Sequence, residues 1–258
     1  MEGENIIMKR IAKYLAKLCL LFLTAAFCLM ATAGIVLGFK GYTMYRSAVR
    51  QEPIEEKLRQ VQNSEEFVPF EELPQIYVDA VTAAEDKRFW NHHGIDLLAM
   101  ARAAFHDLQA MSFVEGGSTI TQQLMKNQYF NQDKNVERKI GEIFGALKLE
   151  QECSKREIFE WYVNTIYFGS GYYGIGEAAR GYFGKEPSQL EDWEALLLAG
   201  LPNAPSAYSP DASPRLALQR ARQVADCMIK CEMITDKQAE TMMKCLGDFV
   251  TEKKLETG

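Results

Sequence analysis

The sequence predicts a mainly α-helical domain behind a single N-terminal transmembrane helix, and three observations carry that expectation. Between about Phe67 and Met233 apolar residues recur at helical spacing, with almost no alternating strand pattern. A 22-residue run from Leu18 to Phe39 contains no charge. At a rise of about 1.5 Å per residue such a run can cross a hydrocarbon core of about 30 Å. The 258 residues, 47% of them apolar, have room for one sizeable domain plus appendages.

Residues 1–17 form a basic segment in which Lys9, Arg10, Lys13 and Lys17 precede the span at 18–39. The positive-inside bias places that segment in the cytoplasm and the main domain on the outer side of a single-pass plasma membrane protein. Ala31-Thr32-Ala33 before Gly34 also resembles a cleavage site. The apolar run, however, outlasts the usual signal-peptide h-region of roughly 7 to 15 residues. Residues 40–66 are charged and carry Pro53, as a helical or extended stalk lifting the domain off the bilayer would.

The main domain is expected over 67–233. Within it, Val136, Ile140, Ile143, Phe144 and Leu147 form a stripe at helical spacing that predicts a core-facing side. Gly141 and Gly145 interrupt the same helix, where a substrate or a neighbouring helix can approach closely. Tyr167–Gly176 and Leu201–Pro210 are rich in Gly, Pro and Tyr and predict loops. Arg215–Met243 predicts two helices broken near Glu232–Asp236, so that 234–258 is a C-terminal helix and tail whose last dozen residues fray. Cys19 and Cys28 fall in the span, and Cys153, Cys227, Cys231 and Cys245 lack CxxC pairs. A net charge of −6 speaks against nucleic acid as a partner.

GGSTITQQLMKN, Gly116–Asn127, combines a free backbone at Gly116 and Gly117 with a capping box between Thr119 and Gln122. A helix opening at Thr119 turns unpaired N–H groups and a partial positive charge outward, and Lys126 adds a full charge two turns along. An anion site and an ordinary capped surface helix share this anatomy. Upstream, Glu85 and Asp86 follow an apolar helical stretch, where partial desolvation suits a carboxylate to proton transfer. The plain alternative is a solvated acid pairing with Lys87 or Arg88. His92 and His93 lack a third metal ligand, and a histidine that structures the turn at Gly94 is the simpler reading. Arg138, Lys139 and Glu142 cluster within about 100 degrees on the side opposite the apolar stripe. Either this is an i, i+4 ion pair, or, joined with Lys126, three cations converge on a multiply charged anion beside two candidate carboxylates, Glu85 and Glu142.

These residues resemble the peptidoglycan glycosyltransferases of family 51, in particular the monofunctional membrane-anchored members. EDKRFWNHHG meets the family pattern E-D-x-x-F-x-x-H-x-G at Glu85, Asp86, Phe89, His92 and Gly94. GGSTITQQLMKN, ERKIGEIFGALKLE, REIFEWYVNTIYFGSGYYGIGEAARGYFGK and EALLLAGLPNAPSAYSP follow in family order. Penicillin-binding transpeptidase signatures are not found, and the chain is expected to end before such a domain.

The resemblance implies a lysozyme-like fold with a membrane-associated jaw, for which the apolar stretch Ile95–Val114 is the candidate and a plain core helix the alternative. It implies polymerisation of lipid II into β-1,4-linked glycan, with inversion at the donor MurNAc C1. Glu85 is then the base, and Lys126, Arg138 and Lys139 hold the pyrophosphate. Ser118, Thr119 and Gln122 line the same pocket, and Glu142 positions a divalent cation (Mg2+ or Mn2+) or an adjacent base. No organic cofactor is implied. The implied partners are lipid II, the growing glycan strand, the membrane and other cell-wall synthesis proteins. Two other readings are a lysozyme-like lytic transglycosylase and an inactive membrane-anchored scaffold.

Overall fold

The computed structural model describes residues 2–110, 116–130 and 135–256. Helix α1 runs unbroken from Glu2 to Gln51. Its segment Lys13–Gln51 is long and apolar enough to cross a membrane by length and composition. The helix stops just before Pro53, whose missing N–H and ring cannot continue it, and α2 begins at Ile54 and ends at Gln62.

The stretch expected as a stalk is largely helical, and its first part packs on the domain. Residues 40–51 continue α1 and lie on α6 (Val136–Glu152), where the Tyr42 ring meets Phe144 edge-on at 5.2 Å and Lys40 pairs with Glu137 at 3.6 Å. That packing also corrects the reading of α6. The stripe expected to face the core is only partly covered, by α1, and Val136 is 57% exposed. The fully buried side carries Gly141, Glu142, Gly145, Ala146 and Leu149. Glycine and alanine at these positions let α5 pack closely, and close packing decides burial here over side-chain hydropathy.

The core is built on α3 (Gln75–Glu85), α7 (Lys155–Thr165), α9 (Asp192–Gly200) and α11 (Pro214–Lys230). Tyr77, Phe159, Trp161 and Tyr162 are its largest fully enclosed side chains on these helices. Helix α9 is buried along Glu194–Gly200, as expected of a helix that is apolar all round. Thr119 and Ser154 each close a capping box, opening α5 (Ile120–Tyr129) and α7.

The two segments expected to be loops are more ordered. Tyr167–Gly169 and Tyr172–Tyr173 pair as antiparallel strands β1 and β2, and α8 follows at once over Gly174–Phe183. Leu201–Pro210 holds a 3-10 turn and the short helix α10, Pro205–Tyr208. The break before α12 falls where expected, but α12 extends from Asp236 to Glu256 rather than fraying early, and it buries Met242, Met243, Leu246 and Val250 in the core. Helix α4 covers Leu97–Ala110, and residues 111–114 of the proposed jaw lie outside the described residues. Leu97, Leu98 and Phe105 are 64–68% exposed, which a plain core helix would not show.

Candidate active site

Helix α3 delivers Glu85 as its last helical residue, at the end of a stretch whose Tyr77, Val78, Ala80 and Val81 are buried. The Glu85 side chain is 8% exposed. Its Oε2 accepts a hydrogen bond from Gln123 Nε2 at 2.9 Å and its Oε1 one from Arg220 Nη2 at 3.1 Å. The alternative pairing with Lys87 or Arg88 is not made, because Arg88 turns to Asp96. A carboxylate oxygen has two acceptor positions, so each oxygen keeps one open while the group is held in orientation. Gln123 is itself placed by Tyr162, whose hydroxyl donates to Gln123 Oε1 at 3.2 Å. Burial, with the Glu85 charge as a smaller cause, drives the Tyr162 hydroxyl well above the ordinary tyrosine range.

Asp86, one residue on, faces the other way. Its carboxylate takes His92 Nε2 at 2.8 and 3.0 Å and, through Oδ2, the backbone N–H of Ile120 at 3.0 Å. The opening end of α5, which the sequence suggested as an anion cradle, is thus filled by the protein's own carboxylate. Thr119 and Gln122 are buried at 1% and 0% exposure within their capping box, so neither lines an accessible pocket. His92 is a structural link: its Nδ1 faces Lys155 Nζ at 3.5 Å, which leaves Nε2 as the N–H that donates to Asp86. Lys155 donates to Glu150 Oε1 at 2.6 Å and stands 4.3 Å over the ring of the fully buried Phe89. Gly94 has φ +88°, and a Cβ there would stand 2.7 Å from the Ala146 carbonyl oxygen. Thr119 Oγ1 donates to the Gly94 carbonyl at 2.7 Å. The turn after Glu85 is therefore pinned to both α5 and α6. Gly117 packs on α4 with a Cβ position 3.1 Å from Ala103, whereas Gly116 faces open space.

The cations gather on α5 and α6. Lys139 Nζ donates to Ser118 Oγ at 2.7 Å and to Glu142 Oε2 at 2.8 Å, and Arg138 Nε stands 3.3 Å from Glu142 Oε1. The i, i+4 ion pair expected on a solvated face exists, but buried: the Glu142 side chain is 3% exposed and that of Arg138 12%. Lys126 makes no ion pair among the described residues. Burial holds its ammonium below the ordinary lysine range, with Glu142, Arg138, Lys139 and Glu85 as its charged neighbours. Lys126, Arg138 and Lys139 thus gather positive charge in a poorly solvated place, which suits an anion of more than one charge. Among the described residues no group of three or more His, Cys, Asp or Glu side chains could hold a metal, and Glu142 lies between two cations. The groups around Glu142 among the described residues do not fit a protein-held divalent ion.

Of the residues singled out from sequence, Glu85, Ser118, Lys126, Arg138, Lys139 and Glu142 belong to this electrostatic centre. Asp86, Phe89, His92, Gly94, Thr119 and Gln122 form the frame behind it. Gln123 and Arg220 were missed. Gln123 sits inside the recognised segment and differs from its neighbours in no sequence property. Arg220 left one faint signal, a charge beside the buried stripe Ala217, Ala221, Val224.

Residues 51–229 match the family model described as Transglycosylase. Penicillin-binding protein 2D of Bacillus subtilis (strain 168) is 46% identical over 178 residues, covering 69% of this chain and 26% of its own length. Penicillin-binding protein 1A of Aquifex aeolicus (strain VF5) is 45% identical over 174 residues, covering 67% and 24%. The chain thus spans about a quarter of the length of these curated relatives. A solved penicillin-binding protein 1A from Haemophilus influenzae aligns at 36% identity over 35% of this chain and 13% of its own, with a TM-score of 0.34, an overlap too partial to bear on the fold. With more than half its residues inside the family match and the motif residues gathered in one place, the chain belongs to the transglycosylase family, the peptidoglycan glycosyltransferases of family 51.

Proposed function

We propose that the protein polymerises lipid II into β-1,4-linked glycan strands and releases undecaprenyl pyrophosphate. The observation that carries this reading is the pairing of one anchored, nearly buried carboxylate, Glu85, with the clustered cations Lys126, Arg138 and Lys139. Glu85 takes the proton of the acceptor GlcNAc 4-hydroxyl as that oxygen attacks C1 of the donor MurNAc. The new C1–O bond forms as the bond to the pyrophosphate oxygen breaks, and the electron pair leaves with the pyrophosphate. Attack from the opposite face inverts the anomeric centre. Charge grows on the leaving group in the transition state, where the three cations stabilise it. Glu142 keeps Arg138 and Lys139 in register, and Ser118 fixes Lys139 from the other side.

A pyrophosphate leaves readily, so the site needs a base and cations more than a strong general acid. A lytic transglycosylase or muramidase has no use for three cations, and an inactive scaffold has no use for an oriented Glu85. Helix α1 anchors the domain in the plasma membrane with the N-terminus cytoplasmic and the site on the outer side, in support of which stand the basic residues before the span. The exposed face of α4 carries Leu97, Leu98 and Phe105, the residue types that rest in a bilayer surface. Incubation of the full chain with labelled lipid II is the test. A ladder of polymer on a gel supports the reading. Fragments released from purified cell wall without consumption of lipid II select the lytic enzyme, and neither activity selects the scaffold.

A further inference from the structure

Helix α1 crosses α6 with Gly41 set against Ile140 and Gly141. Gly41 is buried although its neighbours Lys40 and Tyr42 are exposed. A Cβ on Gly41 would stand 2.5 Å from Ile140 Cβ and 2.9 Å from the Glu137 carbonyl oxygen. On the facing helix, a Cβ on Gly141 would stand 3.3 Å from the Gly41 carbonyl oxygen. Gly34 and Gly38, on the same helix, have nothing within 4 Å of their Cβ positions. The small residue is thus required at the crossing and nowhere else along this part of α1.

Gly141 directly precedes Glu142, so the crossing lies against the turn of α6 that carries the cation cluster. A second contact grips the other wall of the site. Lys57 on α2 donates to the Gln128 carbonyl oxygen at 2.8 Å and stands 5.0 Å over the Tyr129 ring, at the last turn of the helix that carries Lys126. No break separates these contacts from the apolar segment, because α1 is one helix from Glu2 to Gln51.

We propose that Gly41 is a positioning residue for the transfer reaction. The glycine crossing seats the extramembrane half of α1 on α6 and so sets where Arg138, Lys139 and Glu142 stand relative to Lys126 and Glu85. The anchor is then part of the frame of the donor site rather than a tether. This rests on the proposed reading of α1 as the anchor and of α6 as a wall of the pyrophosphate site. Displacement of catalytic groups by about 1 Å can cost on the order of 100-fold in rate, and widening a helix crossing for a side chain moves a backbone by at least that much.

The experiment compares full-length wild type, Gly41→Ala, Gly41→Leu, Gly38→Leu and the double variant Gly41→Ala/Ile140→Gly, which removes the Ile140 Cβ and Cγ2 that a Cβ at position 41 would meet, in one detergent. Lipid II polymerisation and amide hydrogen exchange of α6 are both read. Gly41→Leu is expected to lower kcat about tenfold or more while KM changes less than about threefold, and to raise exchange in α6 but not in α9 and α11. Gly41→Ala shows a smaller loss that the double variant restores in part, since the Glu137 carbonyl contact remains, and Gly38→Leu stays within about twofold of wild type. If Gly41→Leu does not fold, Gly41→Ala and its rescue decide. Activity and α6 exchange in Gly41→Leu equal to those of Gly38→Leu would overturn the proposal, as would loss in Gly41→Ala without rescue. A wild type that makes no polymer removes the lipid II reading, and raised α6 exchange in Gly41→Leu still supports the coupling of anchor to α6.

Discussion

Two places in this molecule present positive charge to their surroundings, and they meet opposite fates. The opening turn of α5 offers free N–H groups and the positive end of a helix, yet Asp86 occupies it, Thr119 and Gln122 close it, and nothing is left for a ligand. The facing turns of α5 and α6 gather Lys126, Arg138 and Lys139 near Glu142, and Lys126 makes no ion pair among the described residues. A helix start becomes an anion site only where the chain withholds its own anion. Here the chain supplies one with the residue right after the candidate base. Asp86 ties down α5 so that Gln123, one turn in, can hold Glu85.

Removing groups from each place separates chemistry from framework. The largest effect belongs to Glu85→Gln, expected to lower lipid II polymerisation about 100-fold to 10,000-fold with an unchanged thermal unfolding profile. A variant that keeps more than about a tenth of the wild-type rate would contradict the base role. Asp86→Ala strikes the framework instead. It strands the buried His92 and the Ile120 N–H, and should cost about 3–5 kcal/mol in urea unfolding, with loss of activity following loss of structure. An Asp86→Ala protein of native stability and no activity would move Asp86 into the chemistry and undo the contrast.

On the open side, Lys126→Ala should lower kcat/KM about 100-fold through turnover and donor binding together, without loss of stability. Unchanged kinetics would remove Lys126 from the pyrophosphate site. The same residue sharpens the comparison through pH. Because burial depresses its pKa, rising pH strips its proton before that of an exposed lysine, so activity should fall on the alkaline side below the ordinary lysine range. Lys126→Arg keeps its charge and should shift that fall to higher pH; a profile identical to wild type would assign the limb to another group. The smallest effect is that of Thr119→Ala on the closed side, about 1 kcal/mol of stability with kcat nearly intact, measured by denaturant titration beside the polymerisation assay.

What the sequence determined by itself is what short stretches of chain decide. The capping box at Thr119 was legible because its hydrogen bonds join residues three apart, and the long apolar N-terminal helix because its length and lack of charge act without any partner. The turn at Gly94 was legible for the same local reason, since its positive φ needs glycine. The family motifs marked the carboxylates and cations but not which of them would be saturated.

Tertiary structure decided everything that depends on who stands opposite. Arg220 reaches Glu85 from 135 residues away, and no local pattern announces that meeting. Hydropathy pointed the apolar stripe of α6 at the core, whereas packing buried the face of Gly141 and Gly145, because glycines admit a neighbouring helix where larger side chains hold it off. Periodicity reports which side of a helix dislikes water; only the assembled fold says which neighbour shields it, and through that neighbour which charges are left to act.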